Sequence, residues 1–178
     1  MSANPADSPE TEAQEEEEIL EASFAELVEF DRERLEDISD MLLARALSRF
    51  DVAERRVILR QVSEHKAADI LAEMDEEDAA EVLSEMRESR AVAMLEEFDP
   101  DDAADVVAEL EDEDRERLMK NVERETAEDI NLLLSYDPET AGGVMTTDFG
   151  VVKVDQSIEQ AIHDIRRQRE EIDNIYYV

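Results

Sequence analysis

The sequence reads AADILAEM at residues 67–74 and AAEVLSEM at residues 79–86, and this pattern recurs every twelve residues from Leu43 to Leu134. In all eight copies the fourth and eighth positions are apolar, and the fifth is apolar in every copy except at Asn131. Positions one, four, five and eight of such a segment lie on one face of an α-helix. Each copy is therefore predicted to form a short helix with one apolar face.

The connections between copies carry residues that favour helix starts. Asp75 opens one connection, and Asp99 and Asp137 each precede a proline. Aspartate as N-cap with proline at the first helical position is a favoured start. Helices this short are marginal alone in water, so each must stack its apolar face on its neighbours. The sequence predicts an all-α fold, a right-handed superhelix (α-solenoid) of short helices with a 12-residue repeat.

The two ends of the chain depart from this pattern. Residues 1–18 are rich in glutamate and lack apolar periodicity, so we predict a disordered acidic tail before a helical domain at residues 19–136. After Leu134 a glycine-containing junction leads to a strand-like run at residues 151–154, a helical pattern from Ile158, and a second strand-like run, IYYV. Residues 137–178 are therefore predicted to be a junction and an incomplete α/β module.

The charge of the chain excludes several classes of partner. It has 178 residues, with 52 acidic and 18 basic side chains and a net charge of -34. Phosphate groups of nucleic acids and anionic membranes would be repelled. No apolar run is long enough to cross a bilayer, so we expect a cytoplasmic chain with no direct membrane insertion. Only three basic residues are lysine, and this acidity is typical of proteins from halophiles, in which salt screens the repulsion; an acidic bacterial protein is the alternative.

Catalytic signatures are weak. His65 and His163 lie in different segments, so neither belongs to a paired-base or zinc pattern. Gly142 and Gly143 lack the further glycines or the lysine of a phosphate-binding loop, and cysteine is absent. The chain is therefore expected not to be an enzyme.

One pair of carboxylates has a suggestive spacing. Asp101 and Asp105 are four residues apart on one predicted helix face, and Asp102 lies beside them. Carboxylates on adjacent turns can share a hard divalent cation. The number of acidic residues makes such pairs common in this chain, so spacing alone also fits a solvated acidic face.

Three segments resemble the MgtE family of magnesium channels. They are KAADI from Lys66, DPDDAADVVAEL from Asp99 and AGGVMT from Ala141, and the final NIYYV looks like a strand of that family's first CBS (cystathionine-β-synthase-type) domain. The resemblance covers about residues 40–178. It implies a cytosolic helical N domain and the start of a CBS domain, whose partners are the remaining CBS domains and the transmembrane pore of a full-length homodimer.

The resemblance also implies a function and a set of ligands. In the family, Mg²⁺ bridges acidic residues between the N and CBS domains and closes the pore. The family's N-domain ligands correspond here to Asp69, Asp101 and Asp105. The resemblance therefore implies that the chain is a Mg²⁺-sensing regulatory part of a magnesium transporter.

Two other functions remain open at this point. Similar acidic short-helix repeats occur in flagellar motor-switch proteins, so the chain could be a protein-docking scaffold, although such a scaffold has no need of the AGGVMT junction. A metal-dependent hydrolase using Asp101 and Asp105 is the third alternative. It lacks a basic clamp for phosphate and a paired histidine.

Overall fold

The computed structural model describes residues 9–147 and 149–168, and every regular element in that part of the chain is an α-helix. The predicted all-α class is therefore confirmed for these residues. No helix among them is long and apolar enough to span a bilayer. The helices are α1 Pro9–Glu21, α2 Phe24–Val28, α3 Arg32–Asp37, α4 Asp40–Leu47, α5 Val52–Leu59, α6 Glu64–Ala72, α7 Glu76–Ser84, α8 Glu88–Glu97, α9 Pro100–Glu109, α10 Asp112–Met119, α11 Arg124–Leu133 and α12 Ile158–Gln168.

Alternate helices pack on one another. The even-numbered helices α4, α6, α8 and α10 form one series of contacts, and the odd-numbered helices α5, α7, α9 and α11 form a second. The fourth and fifth positions of most copies enter the core between them, as Ile70, Leu71, Val82 and Leu83 show with no exposed surface. The apolar face read from the pattern is thus the buried face. The handedness of the superhelix stays a prediction.

Several helix starts follow the predicted chemistry. The side chain of Asp75 accepts a hydrogen bond from the Glu77 amide, and Pro100 occupies the first turn of α9 directly after Asp99. Asp137 differs, because the Asp137–Pro138 step opens a turn and not a helix. There the Asp137 carboxylate accepts from the Glu139 amide at 2.9 Å.

The scarce basic side chains connect distant helices by capping their C-terminal carbonyls. Lys66 donates to the Ile38 carbonyl at 2.5 Å, Arg90 to that of Leu59 at 3.0 Å, and Arg117 to that of Ser84 at 3.1 Å. In each case the cation reaches the end of the helix three places earlier in the chain. Carbonyls at a helix end have no partner within the helix and carry partial negative charge, so a cation there is favourable.

The N-terminal region requires a correction. Residues 9–18, predicted as part of a disordered tail, lie in α1, which packs on α4. Glutamate has high helix propensity, and the buried Ile19 together with the 2.9 Å Glu18–Arg34 ion pair attaches this helix to the fold. The absence of periodicity therefore did not mean absence of helix. Residues 1–8 lie outside the described part.

The C-terminal region requires a second correction. Residues 151–154, predicted as a strand, form no strand, and Val151 and Val154 are exposed. A strand is stable only when its backbone pairs with neighbouring strands, and the described residues supply none. The predicted helix after Ser157 is present as α12. The second strand-like run lies outside the described residues, and the CBS fragment stays a prediction.

Candidate metal-binding site

Asp101 and Asp105 lie one turn apart on α9, as their spacing predicts. The apolar face of α9 is buried, through Ala103, Ala104, Val106 and Val107. That burial leaves the Asp101–Asp105 side of the helix toward solvent, with Asp101 half-buried and Asp105 exposed. The pattern of apolar residues thus determines where the two carboxylates point.

Partial burial and, after it, neighbouring carboxylates shape the chemistry of the pair. Partial burial of its carboxyl group, followed by the charges of Glu76 and Asp101, raises the pKa of Asp105 above its usual value. A bound divalent cation would offset this repulsion between negative charges. The pair therefore has the electrostatic character of a cation site.

The pair borders a small cavity. Asp101 and Asp105 share the lining of a space of about 130 Å³ with the end of α11 and with the segment that follows it, including Tyr136 and Met145. We call residues 136–145 the junction. A cavity of this size has room for several water molecules. The junction therefore lies next to the two carboxylates. The sequence did not predict this contact, because the junction and the carboxylates are far apart along the chain.

Asp69 lies in a different environment, on α6. It is half-buried, and its Oδ2 is 3.7 Å from Nε2 of His65, whose Nδ1 lies 3.1 Å from a Glu97 carboxylate oxygen. Burial is the largest influence and raises the pKa of Asp69; His65 and Lys66 oppose that shift, while Asp40 and Glu97 add to it. Asp69 thus belongs to a mixed-charge cluster formed by residues of α4, α6 and α8.

The three predicted ligands do not form one cluster. Within the described ranges, no group of three or more His, Asp or Glu side chains could hold a metal ion. Asp101 and Asp105 share a cavity, whereas the side chains that act on Asp69 are those of His65, Asp40, Lys66 and Glu97. Each group is therefore at most part of a coordination shell.

The donor chemistry nevertheless fits Mg²⁺. Carboxylate oxygens are its preferred protein ligands, and it keeps several of its own water molecules, so one or two carboxylates are enough on one side of a site. Asp101 and Asp105 supply such a pair at a solvated surface. They could hold a hydrated Mg²⁺ ion that a second group of ligands completes.

Asp102 has a strongly shifted pKa, which the sequence analysis did not predict. Burial, followed by the charges of Asp101, Asp99, Asp105 and Glu73, raises the pKa of Asp102 to about 6. The sequence did contain one indication that Asp102 is partly buried. Residue 102 is one helical turn before the apolar position 106 and so leans toward the core. The contribution of Glu73 had no such signal, because it lies on another segment.

Comparison with known proteins identifies the family. The model of the MgtE intracellular N domain matches residues 36–139, which is more than half of the chain. The chain belongs to the MgtE intracellular N domain family. The relatives described below are named as magnesium transporters or channels, and none of their names describes an enzyme. The family's description as intracellular agrees with the predicted cytoplasmic location.

Individual relatives agree with this family. A magnesium transporter MgtE from Enterococcus faecalis (strain ATCC 700802 / V583) is 39% identical over 54 residues, which cover 30% of this chain and 12% of that protein. This chain thus matches only a small part of that transporter.

Two solved structures have the same fold. The cytosolic domain of the Mg²⁺ channel MgtE in complex with ATP matches with a TM-score of 0.74 and 29% identity, covering 82% of this chain and 60% of that one. The soluble part of a magnesium transporter matches with a TM-score of 0.71 and 27% identity, covering 93% of this chain and 66% of that one. This chain therefore spans 60% and 66% of the lengths of the two solved chains.

Proposed function

We propose that this chain is the Mg²⁺-sensing regulatory part of a magnesium transporter, in which Mg²⁺ bridges acidic residues of the N domain and of CBS domains and thereby closes a pore. The Asp101–Asp105 pair beside a small cavity carries the proposal, together with membership of the MgtE N domain family. The family also favours this function over the motor-switch scaffold. Residues 137–178 are the junction and the incomplete first CBS domain in this proposal, and the helical domain is the right-handed superhelix.

The physical basis is a shift between two arrangements of domains. At low Mg²⁺, the unneutralised carboxylates of the two domains repel and favour separation. At high Mg²⁺, a bridging ion binds the closed arrangement better than the open one, and this difference in affinity sets how far the equilibrium can move. In this proposal Asp69, Asp101 and Asp105 supply the N-domain side of the bridge.

The partners in this proposal are the CBS domains and the transmembrane pore of a homodimeric full-length protein. A lone N domain supplies only part of each site. We therefore expect the isolated chain to bind Mg²⁺ weakly, at about millimolar concentration or above, the weak end of sites built from oxygen ligands.

Small-angle X-ray scattering tests the proposal on a chain extended through both CBS domains. Mg²⁺ should reduce the radius of gyration of the extended protein, because the bridge closes the interface. Asp101→Asn combined with Asp105→Asn should abolish this compaction, whereas Glu125→Gln with Asp129→Asn, an acidic pair of the same spacing on α11, should leave it unchanged. Compaction of the Asp101/Asp105 variant at wild-type Mg²⁺ concentrations would contradict the assignment.

A further inference from the structure

The junction is a folded segment attached to the helical domain. Its backbone makes three internal hydrogen bonds: the Glu139 amide donates to the Asp137 carboxylate and the Thr140 amide to the Asp137 carbonyl, both at 2.9 Å, and the Gly143 amide donates to the Thr140 carbonyl at 3.0 Å. At its far end, Met145 is half-buried against the hydrophobic core. The junction therefore has a defined position over the cavity that Asp101 and Asp105 border.

Two glycines make this close packing possible. A Cβ atom at Gly142 would overlap the ring of Tyr136, and a Cβ at Gly143 would overlap the Asp137 carbonyl oxygen and lie about 2.5 Å from the Pro138 Cα. The ring of Tyr136 could rotate away, but the backbone of residues 137–138 could not without opening the turn. Gly143 is thus the position at which a single methyl group would loosen the junction.

We propose that the junction and the Asp101–Asp105 pair are energetically coupled, so that a divalent cation bound at the pair tightens the packing of the junction on α9. This inference rests on the proposed function, because it takes the pair as the place where Mg²⁺ binds. Without a cation, the two carboxylates must stay hydrated; Asp105 is exposed to solvent, whereas the half-buried Asp101 depends in part on the cavity, which must therefore stay open. With a cation bound, their charge is neutralised, and the apolar wall formed by Leu133, Tyr136 and Met145 can close without burying an unpaired charge.

The coupling has a structural consequence. The junction covalently connects α11 to the residues that follow it. A change in its packing therefore changes how firmly the following segment is held, before any second domain contributes a ligand. Cation occupancy and the path of the chain after residue 145 become parts of one equilibrium.

Hydrogen exchange of the 178-residue chain tests the coupling. We expect 20 mM MgCl₂, about the concentration needed for a weak oxygen site, to slow exchange at the Thr140 and Gly143 amides at least about fivefold, the lower end of usual coupling between sites. A NaCl solution of equal ionic strength should not do so. Asp101→Asn with Asp105→Asn should remove the effect of Mg²⁺, while Glu125→Gln with Asp129→Asn should preserve it.

Coupling is reciprocal, so loosening the junction must weaken cation binding by up to the same factor. Gly143→Ala should therefore raise the Kd for Mg²⁺ measured by titration calorimetry, and Gly150→Ala, at an exposed glycine outside the junction, should not. Circular dichroism melting of both variants checks that the helical domain is intact.

The outcomes separate the two proposals. If the wild-type chain binds Mg²⁺ at the pair but exchange at Thr140 and Gly143 and the affinity of Gly143→Ala are unchanged, the coupling is wrong and the proposed function stands. If neutralising Asp101 and Asp105 leaves Mg²⁺ binding unchanged, the site is elsewhere and both proposals are wrong.

Discussion

The carboxylates of this domain differ in how much their negative charge destabilises the folded state. Asp102 is half-buried among other acidic side chains, and its pKa is raised to about 6 from an ordinary value of 3.8. A carboxyl group whose pKa is higher in the folded protein than in the unfolded chain binds protons preferentially when folded. The destabilisation caused by ionised Asp102 is therefore absent below about pH 4, develops as the pH rises, and is complete above about pH 6.

Asp102→Asn tests this residue. At pH 7 the free energy of unfolding of the variant should be higher by about 1 kcal/mol, and its Tm should rise by a few degrees. This gain is smaller than the full pKa shift would give, because the side chain is partly solvated. The gain should shrink as the pH falls and vanish near pH 4. Thermal melting followed by circular dichroism across this pH range is the measurement.

The control for Asp102→Asn is Glu109→Gln, an exposed acidic position on the same helix. It removes one negative charge from α9 without removing a half-buried one, so its effect should stay within about 0.5 kcal/mol. Equal gains for the two variants would show that general charge reduction, and not burial of Asp102, is responsible.

At the scale of the helices, several basic side chains cap helix ends in addition to forming ion pairs. Arg115 on α10 donates to the carbonyl oxygens of Val107, Ala108 and Leu110 at 2.7–2.9 Å, which lie at the C-terminal end of α9. A single guanidinium thus satisfies several carbonyl groups that the helix itself leaves without partners. It also fixes α10 against the helix that carries Asp101 and Asp105.

Arg115→Met should destabilise the domain by about 1–3 kcal/mol, because it keeps much of the apolar stem and removes the donors to partly buried carbonyls. Arg124→Met is the matched control. Its guanidinium is exposed and pairs with the exposed Glu128 at 2.8 Å, so its loss should cost less than about 1 kcal/mol. Urea unfolding measures both, and similar midpoints would contradict the capping role.

The apolar face of each repeat provides a second test at this scale. Leu83 lies in α7 and has no exposed surface. Leu83→Ala should lower the free energy of unfolding by about 2–5 kcal/mol, and Leu83→Asp should unfold the domain, because it buries an unpaired charge. Leu132→Ala, at a position with 44% of its surface exposed, should cost far less. An unchanged melting curve for Leu83→Asp would contradict the assignment of this face to the core.

At the scale of the whole molecule, the net charge of -34 opposes compaction. Repulsion between exposed carboxylates extends over about 30 Å at 0.01 M salt and over about 3 Å at 1 M. We therefore expect the Tm to rise steadily between about 0.1 M and about 1 M KCl, by the same screening. A flat response in calorimetric melting would contradict the hypothesis that the acidity reflects a halophilic origin.

The sequence alone determined the features that are encoded within each helix. The 12-residue recurrence of apolar positions is local, so it identified the all-α class, the buried face of each repeat and the placement of Asp101 and Asp105 on one side of α9. The same locality explains where sequence reasoning was wrong. The glutamate-rich segment before the buried Ile19 has no visible period, and an apolar run at residues 151–154 resembles a strand whether or not a partner strand exists.

Only the tertiary structure decided which distant residues meet. The separation of Asp69 from the Asp101–Asp105 pair, the burial of Asp102 near Glu73 and the cavity under the junction all depend on how α6, α9 and α11 are placed. The contacts behind that placement, such as those from Lys66 to Ile38 and from Arg117 to Ser84, join residues 28 and 33 positions apart. Local patterns specify each helix and its apolar face, whereas the electrostatics of the site arise from the packing of all of them together.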